Sequence, residues 1–152
     1  MNSTDNQLEL EERLKLKNQL CFPLYAASRD ILKKYTPFLA DVDLTYTQYL
    51  VMLVLWEEKS LTVGDLCQKL FLDTGTLSPL LKSMEKKNLL VRTRDSSDER
   101  IVRVSITDEG QELKQKALQI PAKVGTCINL TQEEASSLYR ILYKILLSSS
   151  SS

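Results

Sequence analysis

The sulfur and phenol groups bound the chemistry open to this chain. It has three cysteines, six tyrosines and no histidine. Without histidine the usual general base and most catalytic triads are missing, so hydrolase readings lose most of their support. The cysteines have no close paired spacing, which argues against a zinc site or a disulfide framework. Cys21 stands in Gln19-Leu20-Cys21-Phe22-Pro23-Leu24-Tyr25. Pro23 puts it close to a possible helix start, where unpaired N–H groups and the helix dipole favour a thiolate, and Tyr25 lies one turn on. A lone cysteine on an apolar face also serves as a small hydrophobe, and residue type alone leaves both readings open. Cys67 reads as structural. Cys127, just after Gly125-Thr126, fits a core position as well as a reactive one.

A second constellation suits anionic partners. Thr74, Ser78, Lys82 and Lys86 recur every four residues, opposite the apolar Leu77, Leu80, Leu81 and Met84. Such a face offers hydroxyls that reach base edges or phosphates, and lysines that neutralise phosphate. Alone it is also the solvated side of an ordinary amphipathic helix. Arg92, Arg94, Arg100 and Arg103 follow, and from Lys82 to Arg103 there are seven basic residues against four acidic ones. Asp98 and Arg100 are placed to pair at the tip between two β-rich runs.

Two helix patterns must position these groups, one from Thr62 to Leu70 and one from about Thr76 to Lys87, joined by a break at Phe71–Gly75. Asp73 or Thr74 would cap the second helix, and Pro79 fits if it lies in the first turn. The runs Leu89–Arg94 and Arg100–Ile106 flank the polar segment Asp95–Glu99 as a hairpin. Two tightly joined helices and a hairpin make a winged helix-turn-helix, which places its second helix in the DNA major groove. Upstream, Leu8 to Tyr35 reads as one long helix that Pro23 either kinks or restarts, and Pro37 ends the pattern near Tyr35-Thr36. Thr45 or Thr47 caps a helix running to about Glu58 that is apolar almost all round, hence buried. Thr107 opens a helix that Pro121 and Gly125 break, and Thr131-Gln132-Glu133-Glu134 resembles a capping box for a last helix. Ser148 to Ser152 reads as a loose polar tail.

The run Phe71-Leu72-Asp73-Thr74-Gly75-Thr76-Leu77-Ser78-Pro79-Leu80-Leu81-Lys82, with Arg92-Thr93-Arg94 and Asp98-Glu99-Arg100, resembles the MarR family of winged-helix repressors. More narrowly it is similar to the organic hydroperoxide regulators (OhrR). The segment around Cys21 resembles their reactive-cysteine segment, with Pro23 a departure from the family's pattern. The resemblance implies DNA contacts from Thr74, Thr76, Ser78, Lys82, Arg92, Arg94, Asp98 and Arg100. It implies that Tyr35 and Tyr46 hydrogen-bond Cys21 across a dimer, where phenolic donors would favour the charged sulfur. It further implies attack of the Cys21 thiolate on a peroxide to give a sulfenic acid. Either a small cellular thiol or a second cysteine, for which Cys127 is the candidate, would then form a disulfide.

The fold expected is mainly α with a small β-hairpin wing, and a homodimer built from the N- and C-terminal helices. Residues 1–45 and 107–147 would dimerise, 46–106 would bind DNA, and 148–152 would be the tail. Two-fold symmetry would set the reading helices roughly 34 Å apart on an inverted-repeat operator. The twenty basic and twenty acidic residues cancel, so the expected DNA field is local, not global. No cofactor or metal is implied. The polar N-terminus and the lack of a long apolar run indicate a cytoplasmic protein away from membranes. The function expected is a repressor released when organic hydroperoxides oxidise Cys21. The alternatives are a repressor released by a reversible phenolic ligand and a thiol peroxidase, which would want a thioredoxin-like αβ pattern absent from this sequence.

Overall fold

The computed structural model describes residues 3–149. Its elements in chain order are α1 (Ser3–Arg13), α2 (Cys21–Ala40), α3 (Tyr46–Glu58), β1 (Ser60–Thr62), α4 (Val63–Leu70), α5 (Thr74–Lys86), β2 (Leu90–Arg94), β3 (Val102–Ile106), α6 (Asp108–Ala117), α7 (Ile120–Gly125) and α8 (Gln132–Ser149). The mainly helical fold with a hairpin wing is as the sequence indicates.

The single long N-terminal helix is not formed. Pro23 has no N–H to offer the Gln19 carbonyl, and its ring would press on that carbonyl in a continuous helix. The chain breaks instead, passes through a short 3₁₀ turn at Leu16–Asn18, and restarts at Cys21 with Pro23 in the first turn. The Asn18 and Gln19 side-chain amides donate to the carbonyls of Glu12 and Arg13, closing the end of α1. At the other end, α2 does not stop before Pro37 but runs to Ala40. Leu39 is buried there, with Tyr35 and Phe38 packed on the same core. That burial holds the last turn despite the lost bond.

α3 is the centrepiece: Tyr49, Val51, Met52, Leu55 and Trp56 are buried in it. Thr45 caps it in a full capping box, its hydroxyl accepting from the Gln48 N–H while the Gln48 side chain accepts from the Thr45 N–H. Strand β1 is not expected from the sequence, where Thr62 opens a helix pattern. Its three residues pair antiparallel with β3, Leu61 opposite Val104, giving the sheet order β1-β3-β2. The wing pairs in register from Leu90 opposite Ile106 to Arg94 opposite Val102. α6 starts at Thr107, whose hydroxyl accepts from the Gly110 N–H at 3.0 Å. A Cβ on Gly110 would lie 2.2 Å from the Leu89 carbonyl oxygen, so only glycine lets α6 approach the wing this closely. The indole N–H of Trp56 donates to the Gly110 carbonyl at 2.8 Å, locking α3 to that junction.

Pro121 falls at the start of α7, separating it from α6. The capping box at Thr131 and Glu134 forms, each residue's backbone N–H donating to the other's side chain. Ser148 and Ser149, expected in a loose polar tail, instead continue α8. The Ser148 hydroxyl bonds back to the Ile145 carbonyl; Ser150–Ser152 lie outside the described residues. α1, α2, the connection between them and α8 leave large apolar side chains in solvent, among them Leu14 (80% exposed) and Leu20 (84%) in the connection, Tyr25, Tyr139 and Leu147. Among the described residues no helix is long and apolar enough to cross a membrane.

Candidate functional site

The helix to which the sequence pattern assigns DNA reading, called the reading helix below, is α5. Asp73 caps it, one carboxylate oxygen accepting from the Thr76 N–H and the other from the Thr76 hydroxyl, both at 2.8 Å. These bonds hold the Asp73 carboxyl below the usual carboxylate range, the backbone bond first. The helix therefore begins at Thr74, two residues before the expected start, and Pro79 sits in its second turn instead of its first. An interior proline costs about 3 kcal/mol. Burial of Leu77, Leu81 and Met84, each worth about 1.5–3 kcal/mol, outweighs it. The preceding turn is tight: Phe71 caps α4 with φ at 53°, a left-handed conformation that an L-residue adopts at a cost.

Four of the sequence-derived DNA residues share one groove. Thr74 and Ser78 of α5 line a groove of about 420 Å³ whose other wall is Arg92 and Arg100 from the wing. Lys82 is exposed further along α5. Thr76 is exposed but its hydroxyl proton is committed to Asp73.

The four wing arginines differ in what they touch. Arg92 donates three bonds to Glu85 of α5: its backbone N–H at 2.8 Å, Nε at 3.1 Å and Nη2 at 2.7 Å. Both side chains are half-buried, and the Arg92 bonds hold the Glu85 carboxyl below its ordinary range, the side-chain bonds first. Arg92 thus braces the wing against the reading helix. Arg94 donates to the Glu99 carbonyl at 2.8 Å. Arg100 pairs in a fork with Asp98, at 3.0 and 2.9 Å, as the tip residues suggested. Its side chain is 90% exposed, oriented by that pair at the end of the wing. Arg103 reaches Asp95 at 3.4 Å. Glu85 went unnoticed in the sequence, because a contact between a helix and the strand after the next turn leaves no periodic signal.

The sulfur and phenol groups lie on a different part of the fold. Cys21 is the first residue of α2 and is exposed, and no side chain caps that helix start. Tyr35, from the same helix, meets Tyr46 of α3 edge to face, ring centres 4.8 Å apart, with Tyr49 completing a cluster. Burial pushes the Tyr35 and Tyr46 phenols upward from their ordinary value. They therefore stay protonated and able to donate. Fourteen residues of helix separate Cys21 from Tyr35, about 21 Å along the axis at 1.5 Å per residue. Within one chain they do not meet. Cys127 is exposed after α7, and its thiol donates to the Lys123 carbonyl at 3.5 Å. Lys123 in turn lies over the Phe38 ring at 5.9 Å, at the far end of α2 from Cys21. Cys67 is half-buried beside Thr74, sulfur to hydroxyl 3.8 Å.

A helix pair, a tight left-handed turn and a braced hairpin define a winged helix-turn-helix transcriptional regulator. The model of the family described as "Transcriptional regulator SarA/Rot" matches residues 33–117. The chain is 45% identical, over 89% of its length and 92% of the relative's, to the organic hydroperoxide resistance transcriptional regulator of Bacillus subtilis. It is 44% identical, over 81% and 83%, to the HTH-type transcriptional regulator SarZ of Staphylococcus aureus. Among solved structures it resembles reduced AbfR bound to DNA, a Staphylococcus epidermidis protein, with a TM-score of 0.74 and 33% identity over 90% of this chain and 96% of that one. The chain belongs to the MarR-type family of winged-helix regulators, in the organic hydroperoxide resistance branch.

Proposed function

We propose that this chain is a homodimeric repressor that leaves its operator when organic hydroperoxides oxidise Cys21. The observation that carries this reading is the separation of the sulfur from the phenol pair along α2. A second copy related by a two-fold axis perpendicular to α2 would run its α2 antiparallel, and so bring its own Cys21 toward Tyr35 and Tyr46 of the first. The exposed apolar side chains of α1, α2 and α8 supply the surface for that pairing. The B. subtilis relative, named for organic hydroperoxide resistance, supports the inducer class, and the AbfR complex supports duplex DNA as the partner.

In this scheme the phenols of Tyr35 and Tyr46 donate to the partner's sulfur and favour its thiolate. The thiolate attacks the terminal oxygen of the hydroperoxide. An S–O bond forms, the O–O bond breaks, the alcohol leaves with a proton, and sulfur is oxidised by two electrons to the sulfenic acid. A thiol then displaces water to form a disulfide. Within one chain Cys127 is out of reach of Cys21, since Lys123 beside Phe38 sits some 25 Å along α2 from it and a disulfide needs Cα atoms within about 7 Å. Cys127 of the other subunit and a low-molecular-weight thiol are the two resolving groups. Thr74, Thr76, Ser78 and Lys82 enter the major groove, while Arg94 and Arg100, the latter oriented by Asp98, reach the flanking minor groove. Arg92 holds the wing in place. The chain is a regulator, not an enzyme, consuming peroxide only once per switching event, and it acts in the cytoplasm.

Mass spectrometry under non-reducing conditions after cumene hydroperoxide treatment tests the chemistry. The reading expects modification at Cys21, either as a crosslink to Cys127 or as a small-thiol adduct. Release from DNA with Cys21 unmodified would instead favour a reversible ligand as inducer.

A further inference from the structure

Gln48 is a buried polar side chain inside an otherwise apolar core, 5% exposed. An apolar residue of that size would pack there with no hydrogen-bond requirement, so its position calls for a reason. Both ends of its amide are used. Oε1 accepts from the Thr45 backbone N–H at 3.0 Å, closing the cap of α3, and Nε2 donates to the Ser83 hydroxyl of α5 at 2.8 Å. One side chain thus ties the start of the helix that carries Tyr46 and Tyr49 to the helix that reads DNA. A second link runs parallel to it: the Lys87 ammonium, just past the end of α5, bonds the Asp43 carbonyl and lies 3.0 Å from the Asp43 carboxylate, in the α2–α3 connection. Both links, one from Thr45 through Gln48 and one from Asp43, run from the segment between Tyr35 and Tyr46 to the C-terminal end of α5 and its cap.

We propose that Gln48 is the positioning residue that couples the phenol cluster to the reading helix. This rests on the sensing role assigned above to Cys21, Tyr35 and Tyr46. When the oxidised sulfur displaces those phenols, the start of α3 shifts. The Thr45–Gln48–Ser83 chain is short and its central side chain is buried, so it passes that shift to α5 instead of absorbing it, and the two reading helices lose their spacing. Replacing the amide by an apolar group of equal length should leave both states folded but let α3 move without α5.

The test uses the full-length dimer and a duplex selected by the wild-type protein from a randomised pool. Affinity is measured before and after cumene hydroperoxide, with Cys21 oxidation followed in parallel by mass spectrometry. Gln48→Met keeps the packing volume, and Ser83→Ala removes only the far partner, covering the case in which the first variant folds poorly. The expected result is that Cys21 oxidises at the wild-type rate in both. The peroxide-induced drop in affinity shrinks by about tenfold in Gln48→Met, within the usual range of coupling between sites, and shrinks in the same direction in Ser83→Ala. Equal weakening of both redox states with an unchanged ratio would overturn the proposal, since that is what a merely structural role gives. A wild-type protein that oxidises at Cys21 yet stays on DNA would sink the sensing role itself, and the coupling with it.

Discussion

Cys21 and Tyr35 lie on the same helix, α2, at opposite ends: the sulfur on the first residue and the phenol fourteen residues on, about 21 Å away. A site made of both groups has to be shared between two chains. Mixed dimers test this. A Cys21→Ser chain and a Tyr35→Phe/Tyr46→Phe chain should each give slow or no peroxide oxidation alone. A hydrogen bond to a charged group is worth about 1.5–3 kcal/mol, so the phenylalanine chain should react at least about tenfold more slowly. Co-refolded, the two rebuild one intact site per heterodimer, and rapid oxidation of the single remaining Cys21 returns. Stopped-flow oxidation rates that stay at the slow value in the mixture would place the site within one chain.

The brace between Glu85 and Arg92 makes a prediction about salt. An arginine already bonded three times to a carboxylate releases no counterion from DNA, whereas an exposed lysine on α5 does. Lys82→Gln should therefore flatten the plot of log affinity against log salt by about 0.9 per subunit. Arg92→Gln should lower affinity with its slope unchanged, by loosening the wing. A slope for Arg92→Gln that flattens as much as for Lys82→Gln would return Arg92 to the phosphate-contacting set.

The same brace sets an acid limit. Arg92 holds the Glu85 carboxyl below its ordinary range. Its contribution to stability is thus present above the ordinary glutamate value of about 4.3, and is lost as pH falls through the lower folded value. The Glu85 side chain is a third exposed, so the effect is below about 1 kcal/mol. Melting temperatures between pH 6 and pH 3 should fall less steeply in Glu85→Gln than in the wild type, from a lower start. Parallel curves would show that the pair contributes nothing.

Local signals were legible in the sequence wherever the cause was local. The caps at Thr45, Thr107 and Thr131 and the hairpin all formed where residue type demanded them, and the helix restarted at Cys21 with Pro23 in its first turn. What escaped depends on residues far apart in the chain. β1 exists only because Leu61 pairs with Val104, and three residues carry no periodicity. Pro37 and Pro79 lie inside helices because neighbouring apolar side chains are buried, an outcome that helix-breaking rules do not weigh. The contacts of Gln48 with Ser83 and of Glu85 with Arg92 are likewise products of packing. The site residues follow the same division. The Thr74–Ser78–Lys82 face, the wing arginines and the Asp98–Arg100 pair were visible as local patterns, whereas the engagement of Arg92 by Glu85 and of Arg103 by Asp95 was not.

The central claim is that the oxidation state of one sulfur decides DNA occupancy, and fluorescence anisotropy on labelled operator duplex measures it directly. Wild-type protein should dissociate on addition of cumene hydroperoxide and rebind after dithiothreitol. Cys21→Ser should bind the reduced-state operator with unchanged affinity and remain bound in the same peroxide. Release of Cys21→Ser at the wild-type peroxide concentration would contradict the account.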